Sequence, residues 1–256
     1  MRVAYFDCFA GIAGDMILGA LLDAGLDAGK WKDELGKLGL ANYEIEIRKT
    51  ERQHISATDV KVKIKESHHH RKLADIEKII RQSRLEENVK EQSIEIFRRL
   101  AAAEGKAHGM KMEEVHFHEV GAVDAIVDIV GGVIGLELLG IEKIYCSELP
   151  LTDGTVKTAH GNFPIPAPAT LELLKDFPLR KIEFQGELVT PTGAAILAVL
   201  GSYHKNLEII PEATGYGAGD NDYKEFPNLL RVIIGRIAGR VPEKTKISGF
   251  KPHLPD

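Results

Sequence analysis

The feature that most constrains the fold is a pair of neighbouring segments in which apolar and charged residues alternate. They span Tyr43–Arg52 and residues 55–66, with the patterns Tyr-Glu-Ile-Glu-Ile-Arg and Asp-Val-Lys-Val-Lys-Ile-Lys. Because successive side chains of a β-strand point to opposite faces, this alternation predicts strands with one buried and one solvated face. We therefore expect an antiparallel pair.

Short apolar strands and amphipathic helices make up most of the remaining sequence. Apolar spacing predicts strands at residues 2–7, 143–148 and 229–236, and helices at residues 16–24, 28–38, 73–81, 86–108, 120–139, 167–174 and 194–200. This order predicts an α/β fold, or alternatively an α+β fold, with a mixed sheet, helices packed against it and the pair at residues 43–66 as an excursion. We expect residues 1–239 to form one compact domain and residues 240–256 a linker-like tail.

Composition narrows the functional classes. The chain has 256 residues, of which 44% are hydrophobic, and this is enough for a substantial core. Its net charge of −5 argues against nucleic-acid or anionic-membrane partners. Cys8 and Cys146 do not form a disulfide framework. Because we find neither a signal peptide nor an apolar run of about 20 residues, we expect a cytoplasmic protein without membrane contact.

A cluster of metal-binding residue types occupies residues 116–128. His116 and His118 can share one face of an extended segment, Glu119 follows them, and Asp124 and Asp128 lie one turn apart on an apolar helix. Imidazole and carboxylate ligands without thiolates favour Ni, Zn, Mn or Fe. The alternative is an exposed turn followed by a solvated helix face.

Two further segments suggest an anion site. Gly11 and Gly14 separate the first strand from a helix that Asp15 could cap, so main-chain N–H groups could hold a phosphate. Thr190 and Thr192 stand at the start of another helix, where N–H groups and hydroxyls could do the same. A tight turn and a plain helix start are the alternatives. Asp7 ends the first strand, where open α/β sheets place chemistry.

The loops carry less specific signals. Residues 151–168 read as a long ordered loop, in which His160 is a candidate metal ligand or proton-transfer group. Residues 215–222 read as a glycine-rich lip over a ligand. Residues 68–70 are three consecutive histidines, which predict either a loop that collects metal loosely or a solvated polar loop.

Five of these segments together resemble the motif set of the LarC nickel-insertion family. The resemblance runs in chain order from the first strand to about Arg236, and it is carried by residues 7–16, 116–124, 158–161, 190–193 and 215–219. It implies insertion of Ni²⁺ into pyridinium-3,5-bisthiocarboxylic acid mononucleotide, which completes the nickel-pincer cofactor of lactate racemase. Such a nickel chelatase, or cyclometallase, belongs to the lyase class and uses CTP with Mn²⁺ or Mg²⁺.

The resemblance also implies partners and a division of labour. LarC proteins are usually longer, so this chain would correspond to their N-terminal part, with the CTP site in the absent C-terminal region. We expect that region, other lactate racemase maturation proteins and further copies of the chain as partners.

Within that framework each candidate residue receives a role. His116, His118 and Glu119 would hold nickel, and Asp124 and Asp128 would orient them or form a second metal site. The substrate phosphate would lie against Gly11, Gly14, Asp15, Thr190 and Thr192. Because a nickel–carbon bond requires loss of a ring proton, either His160 or Asp7 would be the base. Two alternatives stay open: a metal-dependent phosphate-ester hydrolase and a non-catalytic nickel carrier.

Overall fold

The computed structural model describes residues 1–65, 71–117, 123–158, 161–224 and 226–239, with only the main chain of His116, Lys157 and Thr158. The histidine run at residues 68–70 and the tail at residues 240–256 lie outside these ranges. The described helices are α1 (Gly14–Asp23), α2 (Ala28–Gly36), α3 (Leu73–Gln82), α4 (Glu87–His108), α5 (Val123–Leu138), α6 (Pro168–Leu173) and α7 (Pro191–Leu200). The described strands are β1 (Arg2–Asp7), β2 (Tyr43–Arg52), β3 (Ile55–Ile64), β4 (Arg71–Lys72), β5 (His116–Phe117), β6 (Lys143–Cys146), β7 (Leu149–Asp153), β8 (Thr155–Thr158), β9 (Gly161–Pro164), β10 (Leu179–Gln185), β11 (Gly201–Tyr203), β12 (Ile209–Ala218) and β13 (Leu229–Ile237).

A seven-stranded mixed sheet in the order β11-β6-β1-β13-β12-β3-β2 confirms the predicted α/β class. β6 is parallel to β1 and to β11, whereas β13 is antiparallel to both β1 and β12. β3 is parallel to β12, and therefore β1, β3, β6, β11 and β12 all run in one direction. The carboxyl ends of these strands meet at one edge of the sheet, which is where open α/β sheets bind ligands.

The alternating segments form the predicted antiparallel pair, in register from Tyr43–Ile64 to Arg52–Ile55. The pair is not an excursion, however, because β3 joins β12 through the Gly217–Thr58 pair and so extends the main sheet. This is the single register pair between these two fully described strands. β12 ends one residue beyond this pair, at Ala218, whereas β3 continues to Ile64, so the second half of β3 has no β12 partner.

The glycines of β12 are used for close packing against α1. A Cβ atom on Gly217 would lie 1.8 Å from the main-chain oxygen of Met16, and one on Gly215 would lie 2.1 Å from that of Ala20. No side chain fits at either position, since van der Waals contact begins well beyond these distances. The predicted glycine-rich lip is therefore wrong for residues 215–218, which are the end of a strand.

The segment predicted as one long loop, residues 151–168, is mostly strand. Its first residues belong to β7, which pairs in parallel with β10, and β8 and β9 form an antiparallel hairpin. The prediction was wrong because strands this short leave little room for an alternating pattern.

The helices hold the sheet and the site together. α5 is buried along most of its length between α1, α2 and α4. The indole N–H of Trp31 donates to the main-chain oxygen of Gly131 at 2.9 Å, and this fixes α2 against α5. α1 crosses β12 and β3, whereas α7 packs on β6 and β11. The amino ends of α1, α5 and α7 thereby reach the carboxyl edge of the sheet. No described helix is long and apolar enough to span a membrane.

Candidate functional site

A cavity of about 640 Å³ lies beside the second half of β3, where β3 continues past the end of β12. Its walls include the starts of α1, α5 and α7, the second half of β3 and the segment that follows β12. The described polar side chains that line it are Asp15, Lys61, Lys63, Asp124, Asp128, Thr155, Glu187, Thr190, Thr192, Asp220, Asn221 and Asn228. The cavity is therefore polar, with more carboxylates than cations.

One wall of the cavity is acidic. Asp15 comes from the first turn of α1, and Asp124 and Asp128 come from successive turns of α5. The two helices touch at Gly14, where an added Cβ atom would lie 2.5 Å from the Cβ of Asp128 and 2.6 Å from its Oδ2. A glycine at position 14 is thus required for Asp128 to stand beside the start of α1.

The acidic wall disfavours full ionisation. Burial, followed by repulsion from the carboxylate of Asp220, raises the pKa of Asp15 from its ordinary value of 3.8 to about 7. Burial also raises the pKa of Asp128 well above its usual range, followed by repulsion from Asp15, Asp124 and Asp220. Carboxylates in this arrangement gain from a shared proton or a cation between them.

The starts of α1 and α7 are joined through the main chain. The Ile12 N–H donates to the oxygen of Leu188 at 2.8 Å, and the Thr190 N–H donates to the oxygen of Ile12 at 3.0 Å. Thr190 caps α7, because its hydroxyl accepts from the Gly193 N–H at 3.3 Å, and its Oγ1 lies 3.0 Å from that of Thr192. The predicted helix start at Thr190 is confirmed, and both hydroxyls line the cavity.

Lys61 and Lys63 were missed as site residues because their alternating pattern indicates an ordinary solvated strand face. Lys61 Nζ lies 3.1 Å from Asp220 Oδ1, and Lys63 Nζ lies 2.8 Å from Glu46 Oε2. They are the only lysines or arginines among the described residues that line the cavity. The sequence contains no signal for the cavity-lining position of these lysines, because that position depends on where β12 ends beside β3.

Comparison with known proteins identifies the family. The profile named "Nickel insertion protein" matches residues 4–250. The chain belongs to the nickel insertion protein family. It is 50% identical over 238 residues to the "Putative nickel insertion protein" of Dictyoglomus thermophilum, covering 93% of this chain and 61% of that relative. It is 52% identical over 239 residues to the "Pyridinium-3,5-bisthiocarboxylic acid mononucleotide nickel insertion protein" of Desulfitobacterium hafniense, covering 93% and 59%.

The chain spans about three-fifths of the length of these relatives. No solved structure matches it. The predicted LarC nickel-insertion resemblance is thereby confirmed at the level of the family.

In this nickel insertion family member, the predicted metal residues are only partly described. Asp124 and Asp128 lie together on the acidic wall, whereas His118 and Glu119 lie outside the described ranges, as does His160. For His116 the structure gives the main chain, which pairs with Lys72 in the short β4–β5 ladder. Within the described ranges, no three His, Cys, Asp or Glu side chains come close enough to form a ligand set for a metal.

The predicted phosphate cradle divides into two parts. Ala13, and not Asp15, is the N-cap of α1, so the predicted capping role is wrong. Asp15 instead accepts from the Met16 N–H at 2.8 Å. Gly11 has a φ of +105°, and an added Cβ atom would lie 2.0 Å from the main-chain oxygen of Leu188. This glycine therefore packs against the main chain at Leu188. Thr190 and Thr192 remain available to a ligand in the cavity.

Asp7 lies away from the described cavity lining and has a partner of its own. The Arg231 Nε donates to Asp7 Oδ2 at 3.0 Å, and its Nη2 contacts the same oxygen. The two residues are opposite each other on β1 and β13. This pairing gives Asp7 a structural role between β1 and β13, and its role as the base stays a prediction.

Proposed function

We propose that this chain takes part in inserting Ni²⁺ into pyridinium-3,5-bisthiocarboxylic acid mononucleotide, with the cavity beside the second half of β3 as the site. The observation that carries the proposal is the convergence of Asp15, Asp124 and Asp128 on one wall of a cavity large enough for a mononucleotide. Family membership and the name of the Desulfitobacterium relative support the choice of metal and substrate.

In this proposal nickel is a substrate that must be bound and then released. Carboxylates suit that task, because they attract a divalent cation without the tight binding of thiolates. Asp124 is the second residue of α5 and lies only five residues after Glu119 in the chain, so one ion could be reached from both groups. We therefore keep His116, His118 and Glu119 as proposed nickel ligands, supported by Asp124 and Asp128.

Formation of the nickel–carbon bond removes a proton from the pyridinium ring, and the chain must supply a base. His160 is our proposed base, since Asp7 is held by Arg231. The use of CTP with Mn²⁺ or Mg²⁺, assignment to the lyase class and service to lactate racemase belong to the same proposal. We place the CTP site in the C-terminal region that the longer relatives carry.

A direct assay tests the proposal. The purified chain would be incubated with Ni²⁺, CTP, Mg²⁺ or Mn²⁺ and the bisthiocarboxylate mononucleotide, with and without the separately produced C-terminal region of a longer relative. Mass spectrometry would then follow the nickel-bearing product. We expect product, and we expect the Asp124→Asn/Asp128→Asn double variant to lose most of it because the acidic wall no longer attracts the cation. Asp33→Asn, an exposed change on α2, is the matched control.

The other outcomes discriminate between functions. Product formation that is unaffected in the double variant would refute a supporting role of the acidic wall in nickel binding. Hydrolysis of a generic phosphate ester without nickel incorporation would favour a metal-dependent hydrolase. Stoichiometric nickel binding without product, even with the C-terminal region present, would favour a nickel carrier.

A further inference from the structure

Two lysines on β3 supply the positive charge of the cavity. Lys61 and Lys63 are two residues apart on a strand, so their side chains leave the same face of the sheet with Cα atoms roughly 7 Å apart. Both line the cavity, and every other charged side chain in its described lining is a carboxylate. An anionic ligand in this cavity therefore has only these two described side chains to neutralise it.

The present partners of these lysines are exchangeable. Lys61 is paired with Asp220, whose side chain is 71% exposed, and Lys63 is paired with Glu46. Solvent-exposed ion pairs of this kind contribute little to stability. A phosphate dianion carries more charge than either carboxylate and can accept from both ammonium groups at once. It would therefore compete well for Lys61 and Lys63.

The opposite wall is a poor place for a phosphate. Asp15, Asp124 and Asp128 stand there, and each of these carboxyl groups repels a dianion when it is ionised. Gly11 and Gly14 were predicted to bind the phosphate through their main chain. The space beside their Cα atoms is occupied by Leu188 and Asp128, respectively. The cavity thus has an acidic wall that favours cations and a basic side, formed by Lys61 and Lys63, that favours anions.

We infer that Lys61 and Lys63 bind the phosphate of the mononucleotide substrate, and that Asp220 leaves Lys61 when the phosphate arrives. The inference rests on the proposed function for the choice of a mononucleotide. It places the phosphate on the β3 side of the cavity and directs the pyridinium ring, one ribose away, towards the acidic wall. Thr190 and Thr192 line the same cavity and can add neutral donors to the phosphate oxygens.

Binding measurements without nickel or CTP test the inference. Nicotinic acid mononucleotide, a pyridinium mononucleotide, and the corresponding riboside without phosphate would be titrated into the full chain by calorimetry. We expect Lys61→Gln and Lys63→Gln each to raise the Kd of the mononucleotide about tenfold, since each removes a charged hydrogen-bond donor. The Kd of the riboside should stay unchanged. Asp220→Asn should tighten mononucleotide binding, because it frees Lys61.

Lys65→Gln is the matched control. Lys65 follows β3 directly, is paired with Glu44 at 3.5 Å in the same manner, and is outside the cavity lining. Its replacement should leave both Kd values unchanged, and circular dichroism would verify that all variants fold.

Three results would overturn the inference: an unchanged mononucleotide Kd in both lysine variants, an equal loss of mononucleotide and riboside binding, or no mononucleotide binding by the unsubstituted chain. The proposed function can fail separately. A chain that binds the mononucleotide through these lysines but makes no nickel product, even with the C-terminal region present, refutes the function and leaves the phosphate site standing. Nickel insertion that is insensitive to both lysine substitutions does the reverse.

Discussion

Replacing Asp15 with asparagine should stabilise the protein at high pH and not at low pH. The folded state raises the pKa of Asp15 from 3.8 to about 7. Below pH 4 the carboxyl group is protonated in both states and has no effect. Between pH 4 and 7 Asp15 ionises in the unfolded chain but not in the folded protein, so the free energy of unfolding falls as pH rises. Above pH 7 the full cost of ionising Asp15 in the folded protein is present.

A rise of about 3 in the pKa of Asp15 corresponds to about 4 kcal/mol in the free energy of unfolding. Because the side chain of Asp15 keeps some solvent exposure and the effective dielectric constant at such sites is well above that of a dry interior, we expect about half of this cost, about 2 kcal/mol.

Urea denaturation at pH 4 and pH 8 measures this effect. Asp15→Asn should increase the free energy of unfolding by about 2 kcal/mol at pH 8 and leave it nearly unchanged at pH 4. Asparagine can still accept from the Met16 N–H, so the local helix start is preserved. Asp33→Asn on the exposed face of α2 provides the control for removing one negative charge. An equal gain at both pH values, or the same gain in the control, would refute the reasoning from the acidic wall.

Three further changes test the packing, the cap and the candidate base. Gly217→Ala should cost about 3 kcal/mol or more in urea denaturation because its Cβ meets main-chain atoms of α1, whereas Gly36→Ala, with nothing within 4 Å, should stay within about 1 kcal/mol of the parent. Thr190→Ala should lower the free energy of unfolding by about 1 kcal/mol through loss of the N-cap, and an unchanged value would contradict the cap. Asp7→Asn and Arg231→Gln should each cost about 1 kcal/mol and reduce nickel insertion alike, if the pair is structural. Loss of product formation in Asp7→Asn alone would restore Asp7 as the base.

Local patterns in the sequence predicted most of the elements, because their determinants are short-range. The alternation in residues 43–64 and the apolar spacing of α4 and α5 need only neighbouring residues to be interpreted. The register of β3 beside β12 is different, since it depends on the Gly217–Thr58 pair, 159 positions apart in the sequence numbering. That pairing turned a predicted excursion into part of the main sheet.

The glycines illustrate a signal that could have been interpreted differently. Gly215 and Gly217 are two residues apart, which is the period of one face of a strand. A loop has no reason to repeat glycine with that period, whereas a strand crossed closely by a helix does. Sequence alone did not show that α1 was that helix, because the contact joins residues about 200 positions apart.

The candidate site shows the same division between local and distant information. Asp124 and Asp128 could be paired from helical periodicity, but Asp15 reaches them only because Gly14 admits α5 to the start of α1. The sequence pattern indicates solvated lysines at positions 61 and 63, and only the end of β12 beside Thr58 shows that they line a cavity.

The chemistry of the site follows from keeping its charges apart. A nickel ion and a phosphate group attract each other, so a cavity with mixed charges would let the phosphate capture the metal away from the ring. Here Asp15, Asp124 and Asp128 stand on α1 and α5 and the lysines stand on β3. Asp220 pairs with Lys61 and also repels an ionised Asp15. Phosphate binding that releases Asp220 would add its charge to the acidic wall or to solvent. If Asp220 moves to the acidic wall, that wall attracts nickel more strongly once the mononucleotide is bound, and substrate and metal bind cooperatively. Asp220→Asn would remove this coupling. Nickel titrations with and without nicotinic acid mononucleotide measure it, and equal nickel affinity in both conditions would show that Asp220 moves to solvent instead.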